Sequence, residues 1–130
     1  MPIDVRTLSF SYGSAPVLRD VTFCAGPGEV IAVLGPNGVG KSTLFRCLLG
    51  FLQPTAGEVW VDDRPLREFS RRELAREVAY IPQSYTPTYD YTVRQCVLMG
   101  VTAQLGALQS PAQAQQALTE RTLESLGIAH

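Results

Sequence analysis

The sequence predicts an α/β fold, on three observations. The apolar run Glu29-Val30-Ile31-Ala32-Val33-Leu34 is of buried-strand type. It leads into a glycine-rich stretch, Gly35-Pro36-Asn37-Gly38-Val39-Gly40-Lys41-Ser42-Thr43, and then into the helical run Leu44-Phe45-Arg46-Cys47-Leu48-Leu49. Upstream, Ile3-Asp4-Val5-Arg6-Thr7-Leu8-Ser9-Phe10 alternates apolar and polar residues as a half-buried strand does.

The elements follow in order. Tyr12-Gly13-Ser14-Ala15-Pro16 is turn-like and separates the first strand from a second over Val17–Phe23. Gly26-Pro27-Gly28 makes a tight turn into the strand at 29–34. The helix from Ser42 ends near Gly50-Phe51-Leu52, with Pro54 and Gly57 marking the exit. Glu58-Val59-Trp60-Val61-Asp62-Asp63 is a short strand running into a turn. Ser70-Arg71-Arg72-Glu73 has the S-x-x-E spacing of a capping box and opens a short helix over 71–76. Val78-Ala79-Tyr80-Ile81 then reads as a strand stopped by Pro82. A loop rich in Tyr, Thr and Pro covers 86–91. A second box, Thr92-Val93-Arg94-Gln95, starts a helix to Met99. A third, Ser110-Pro111-Ala112-Gln113, places Pro at the favoured first helical position. The last helix is expected to carry Leu118, Leu123 and Leu126 on one broad face and to stop at Gly127. There is no internal repeat, and the one compositional bias is the Ala/Gln stretch 112–117.

The glycine-rich stretch fits G-x-x-x-x-G-K-[ST], the phosphate-binding loop. A chance match in a chain this short is about one in a few hundred. Gly35, Gly38 and Gly40 permit backbone angles and close approach that a side chain blocks. The N–H groups of the loop, Asn37 included, then converge on phosphate oxygens, and the positive end of the following helix points at the same anion. Lys41 is placed to reach the β- and γ-phosphates, and the Ser42 hydroxyl to hold Mg²⁺. The alternative is a plain turn between strand and helix, which needs neither the Lys nor the Ser. Lys41 is the only lysine; the other ten basic residues are arginines. A lysine acts as a compact point charge among phosphates, as arginine cannot.

The 130 residues are enough for one domain, and 45% hydrophobic content suits an α/β core. A net charge of −1 leaves no basic footprint for nucleic acid. The N-terminus lacks the pattern of a signal peptide, and no apolar run approaches a membrane span of about 20 residues. Cys24, Cys47 and Cys96 are odd in number and widely spaced. They read as reduced, mostly buried thiols rather than disulfides or a zinc site, and they suit a cytoplasmic protein.

Taken in order, Ser11-Tyr12-Gly13, Val17-Leu18, the phosphate loop, Pro54-Thr55-Ala56-Gly57-Glu58-Val59 and Val78-Ala79-Tyr80-Ile81-Pro82-Gln83 resemble the N-terminal half of an ATP-binding cassette (ABC) ATPase. Residues 72–83 and 93–101 are most similar to the subgroup that serves import of iron–siderophores, haem or cobalamin. The resemblance implies a P-loop NTPase fold: a RecA-like core plus an N-terminal antiparallel β-subdomain. It implies a single partial domain over 1–130, with the β-subdomain and core over 1–90 and the start of the helical subdomain over 91–130. It implies ATP and Mg²⁺ as ligands, with Gly35, Asn37, Gly38, Gly40, Lys41, Ser42 and Thr43 around the phosphates and Tyr12 stacked on adenine. Gln83 resembles the family's Q-loop glutamine, an acceptor for Mg²⁺ or the attacking water. Lys41 and Gln83 are then the catalytic candidates, and Ser42 and Gln83 the metal ligands. The implied partners are transmembrane permease subunits, met by the loop 84–91, and a second nucleotide-binding subunit. The implied location is the inner face of the cytoplasmic membrane.

The same resemblance makes this stretch half of a site. It contains no adjacent glycines, hence no Leu-Ser-Gly-Gly-Gln signature. The run Val59–Asp63 mimics a Mg²⁺-binding strand, but it precedes Gln83 and reads as strand and turn. His130 stands alone at the terminus and is expected to fray. The expectations are an N-terminal piece cut within the helical subdomain, which binds ATP and does not hydrolyse it alone, or a non-catalytic module binding nucleotide or a partner. A P-loop kinase or GTPase fits less well, since no N-K-x-D follows the loop.

Overall fold

In the computed structural model, residues 2–84, 89–102 and 113–128 are described. The chain divides into two compact units, Met1–Tyr80 and Ile81–His130.

The first unit is a four-stranded antiparallel sheet with a helix on one face. Strands β1 (Ile3–Tyr12), β2 (Ala15–Ala25), β3 (Ala56–Val61) and β4 (Arg64–Pro65) lie in the order β2-β1-β3-β4. Helix α1 (Lys41–Leu48) follows the glycine loop, and α2 (Arg71–Glu77) comes after β4.

The spacing of apolar residues in β1 explains its shape. Val5 is buried and so are Leu8 and Phe10, a step of three and then of two. A strand alternates with period two, so one residue is extra between Val5 and Leu8. The register against both β2 and β3 shifts there, and Thr7 sits at φ 46°. Side chains replace the lost ladder bonds: the Thr7 N–H donates to Thr22 Oγ1 (2.9 Å) and the Asp20 N–H to Ser9 Oγ (3.0 Å). Gly57 of β3 crosses beside this bulge at φ 75°, where a Cβ would lie 2.3–2.4 Å from the carbonyl oxygens of Thr7 and Arg6. No side chain fits there.

Val5, Leu8, Phe10, Leu18 and Val59 from the sheet close on Leu44 and Cys47 of α1 to form the core. Helix α1 ends as expected: the Phe51 N–H donates to the Arg46 carbonyl and the Gly50 N–H to that of Cys47, a Schellman closure. Asp62 and Asp63, both at positive φ, turn β3 into β4, so the run ending in these aspartates is a strand and turn. Helix α2 carries the predicted capping box: the Glu73 N–H donates to Ser70 Oγ and the Ser70 N–H to Glu73 Oε2.

Two strand expectations are corrected. Residues 29–34 and 78–81 form no ladder. Val30 and Leu34 are 95% and 88% exposed, and Ile81 is 92% exposed. A buried-strand sequence becomes a strand only when neighbours satisfy its N–H and C=O groups, and neither run has such a neighbour among the described residues.

The second unit pairs α3 (Val93–Thr102) with α4 (Gln113–Ser125). Thr92 and Gln95 exchange both bonds of the second box. Of the third box, only Gln113 lies within the described residues. In α4 the buried residues are Thr119 and Leu123, whereas Leu118 and Leu126 are exposed, so the three leucines do not share one buried face. The face runs at a spacing of four through Thr119, whose hydroxyl donates to the Gln115 carbonyl and so tolerates burial. Gly127 caps the helix in a Schellman closure, as its position predicts.

Candidate functional site

The loop is shaped by its glycines. Gly35, Gly38 and Gly40 adopt φ of 151°, 83° and 108°. The Val39 N–H reaches back to the Pro36 carbonyl, closing the turn between them. A Cβ on Gly40 would lie 3.1 Å from both Val17 Cγ1 and Leu18 Cδ2, so the end of the loop rests directly on β2. Gly40 also precedes the first turn of α1 and provides no side-chain cap, and that turn holds no carboxylate. The N-terminal N–H groups of α1 are therefore left for an outside acceptor, and the helix dipole favours an anion there.

The Lys41 ammonium bends back over this loop. Its Nζ donates to the carbonyl oxygens of Gly35 (2.7 Å) and Pro36 (2.8 Å). An ammonium has three N–H bonds, so one remains for a further acceptor. Ser42 and Asn37 are exposed. The Thr43 side chain, 8% exposed, turns instead to the buried face of α1 with Leu44 and Cys47. What Thr43 can offer an anion is its backbone N–H. Burial pushes the Cys47 thiol above its usual range. Cys24 and Cys96 are exposed, which corrects the expectation of mostly buried thiols.

Tyr12 stands at the mouth of the β1–β2 hairpin, opposite Ala15. It is 48% exposed and meets Phe10 edge-on, with ring centroids 4.8 Å apart and planes at 83°. Phe10 in turn faces Leu18 across the ladder, and Leu18 underlies Gly40. The hairpin thus joins Tyr12 to the strand that supports the loop. Phe10 was not singled out from the sequence, although its i, i+2 spacing from Tyr12 put both rings on one face of β1.

Gln83 belongs to the second unit, on an exposed coil after Pro82. In the neighbouring tyrosine loop, Tyr85, Thr86, Pro87 and Thr88 lie outside the described residues, while Tyr89 and Tyr91 are exposed and meet edge-on at 5.8 Å. His130 also lies outside them.

A separate cleft of about 830 Å³ opens in the first unit between Phe51, Leu66, Phe69, Arg71, Leu74 and Tyr80. It contains none of the loop residues. Among the described residues no group of three or more His, Cys, Asp or Glu side chains is placed to hold a metal, and no helix is long and apolar enough to cross a membrane.

Comparison with known proteins agrees with the geometry. A family model described as ABC transporter matches residues 18–130. The chain is 39% identical, over 98% of its length, to a hemin import ATP-binding protein, HmuV, of Bradyrhizobium diazoefficiens. It is 38% identical over its whole length to the HmuV of Bordetella pertussis. It spans about half of these curated relatives, 46% and 48% of their lengths. Among solved structures, it superposes with a TM-score of 0.76 and 27% identity on an inward-facing transporter assigned to the metal-chelate ABC type, covering 98% of this chain and 45% of that one. It superposes with a TM-score of 0.73 and 29% identity on an ATP-binding subunit of an ABC transporter, covering 85% of this chain and 45% of that one.

Proposed function

The chain belongs to the ABC transporter family, and on that premise we propose that it is the ATP-binding portion of an importer for haem or a related metal chelate. The relatives named for hemin import and the metal-chelate transporter support the choice of solute class. The observation that carries ATP binding is the loop itself. Three glycines hold it open, an uncapped helix N-terminus faces it, and Lys41 lies across its carbonyls with one N–H to spare.

These residues fit a nucleoside triphosphate with Mg²⁺. The phosphates would take the N–H groups of the loop and of Lys41, Ser42 and Thr43. Lys41 would offer a phosphate oxygen the N–H that its two carbonyl contacts leave over. Ser42 would offer Mg²⁺ an exposed hydroxyl, and Gln83 is proposed, from its likeness to the family's Q-loop glutamine, as an acceptor for Mg²⁺ or the attacking water. Mg²⁺ supplies charge neutralisation between the phosphates. Tyr12 offers an exposed aromatic ring to adenine.

The transporter reading adds a membrane permease, a second nucleotide-binding subunit and a position on the inner face of the cytoplasmic membrane. ATP hydrolysis is a property of the family. These 130 residues carry the loop half of the site without a Leu-Ser-Gly-Gly-Gln segment, so they are proposed to bind ATP and not to sustain turnover alone. Uptake of haem by cells carrying the transporter, with Lys41→Ala introduced, tests the function. Loss of uptake at unchanged protein level is expected. Undiminished uptake would overturn the proposal.

A further inference from the structure

Phe10 is buried in the core, yet it meets the half-exposed Tyr12 ring. Its 7% exposure and its place among Leu8, Leu18 and Leu44 fix it. Tyr12 lies at the hairpin mouth beside Gly13 and Ser14 and is about half exposed. The two rings meet edge-on with centroids 4.8 Å apart, and Tyr12 remains 48% exposed. Such aromatic pairs have a preferred geometry and so restrict the rotamers of the outer ring. On the other side of the hairpin, Phe10 opposes Leu18, which rests against Gly40 at the end of the phosphate loop.

From this chain of contacts we infer that Phe10 is a positioning residue for the nucleobase: it fixes the Tyr12 ring at a set place relative to the phosphate loop. The inference rests on the reading of Tyr12 as the adenine platform. A preset platform binds more tightly than a mobile one because less side-chain freedom is lost on binding. The gain is expected at the base, because the contact runs from Phe10 to the Tyr12 ring.

The test is equilibrium binding of two probes, ATP and inorganic tripolyphosphate, to the purified protein and its variants. Phe10→Leu keeps an apolar side chain and removes the ring. It is expected to weaken ATP about three- to tenfold, to leave tripolyphosphate unchanged, and to be rescued by Phe10→Tyr. In a Tyr12→Ala background the same change is expected to cost ATP nothing further. Phe10→Met, measured alongside, keeps the test open if the leucine variant folds poorly. Equal loss of both probes would show that Phe10 acts on the fold or the loop and would overturn the inference, as would no loss of either. If Tyr12→Ala itself leaves ATP binding intact, the platform reading fails and takes the inference with it. If Tyr12→Ala weakens ATP and Phe10→Leu does not, the inference alone fails.

Discussion

Lys41 holds two carbonyls of its own loop, so the residue proposed to bind phosphate is also a brace. Charge-assisted hydrogen bonds contribute about 1.5–3 kcal/mol. Replacing Lys41 therefore leaves the Gly35 and Pro36 carbonyls to water and, on the proposed function, removes a phosphate partner. As the proposed adenine platform, Tyr12 would act by a different force. Base–aromatic stacking contributes about 1–3 kcal/mol and discriminates little between bases. Tyr12→Ala is thus expected to weaken ATP and GTP alike, by roughly five- to a hundredfold, in a competition titration. A change confined to one nucleotide would mean that Tyr12 reads the base edge rather than its face. Lys41 was singled out in the sequence because its motif is carried by residue type and spacing alone. Phe10 was not, because its proposed role depends on which residue it faces across a ladder with shifted register. Thr43 shows the converse: the spacing draws it into the loop pattern, but the helical period turns its side chain into the core.

At the scale of elements, local capping signals were read well and strand pairing was not. Both boxes that fall on described residues form the reciprocal bonds that their spacing predicts. In α2 the box also sets a titration. The Ser70 hydroxyl, then the Ser70 N–H, then Arg64 donate to the Glu73 carboxylate and hold its pKa at about 2. A carboxylate depressed on folding contributes stability above its unfolded pKa of about 4.3 and loses it as pH falls toward the folded value. Helicity of α2 is expected to fall between about pH 4.3 and 2, and Glu73→Gln, which keeps the capping geometry, is expected to flatten that dependence. Amide exchange in α2 against pH checks this, and an unchanged profile in the variant would contradict it.

The bulge of β1 is the element that the sequence concealed. Apolar residues at 3, 5, 8 and 10 carry one residue too many for strict alternation, but only the fold shows that Gly57 must pass beside the extra one. Gly57→Ala is expected to destabilise the first unit by about 3 kcal/mol, measured by urea unfolding. The apolar run 29–34 reads as a buried strand because its residue types suit a sheet interior, and no sequence pattern states which strands flank it. Since Val30 and Leu34 are exposed, changing both to Thr is expected to alter stability by less than about 0.5 kcal/mol each. A larger loss would place that run in a core.

For the whole molecule, the fold class was legible because the glycine loop and the helix after it stand where the motif puts them, although the run at 29–34 forms no strand; that the same residues hold phosphate is the proposal. The division at Tyr80–Ile81 was less legible, because it depends on how densely the contacts cluster rather than on any composition shift. The chain spans about half the length of the curated relatives, and the account separates binding from turnover accordingly. The 130 residues are expected to retain ATP without steady release of phosphate in a coupled assay. Sustained turnover would show that the loop half suffices.

The central claim is that Lys41 and the loop around it bind ATP. Isothermal titration of Mg·ATP into the purified chain and into Lys41→Ala, with both shown to be equally folded by circular dichroism, tests it most directly. The account predicts saturable binding to the parent chain and a loss of about ten- to a hundredfold in the variant. Equal affinity in the two proteins, or no binding to the parent, would contradict it.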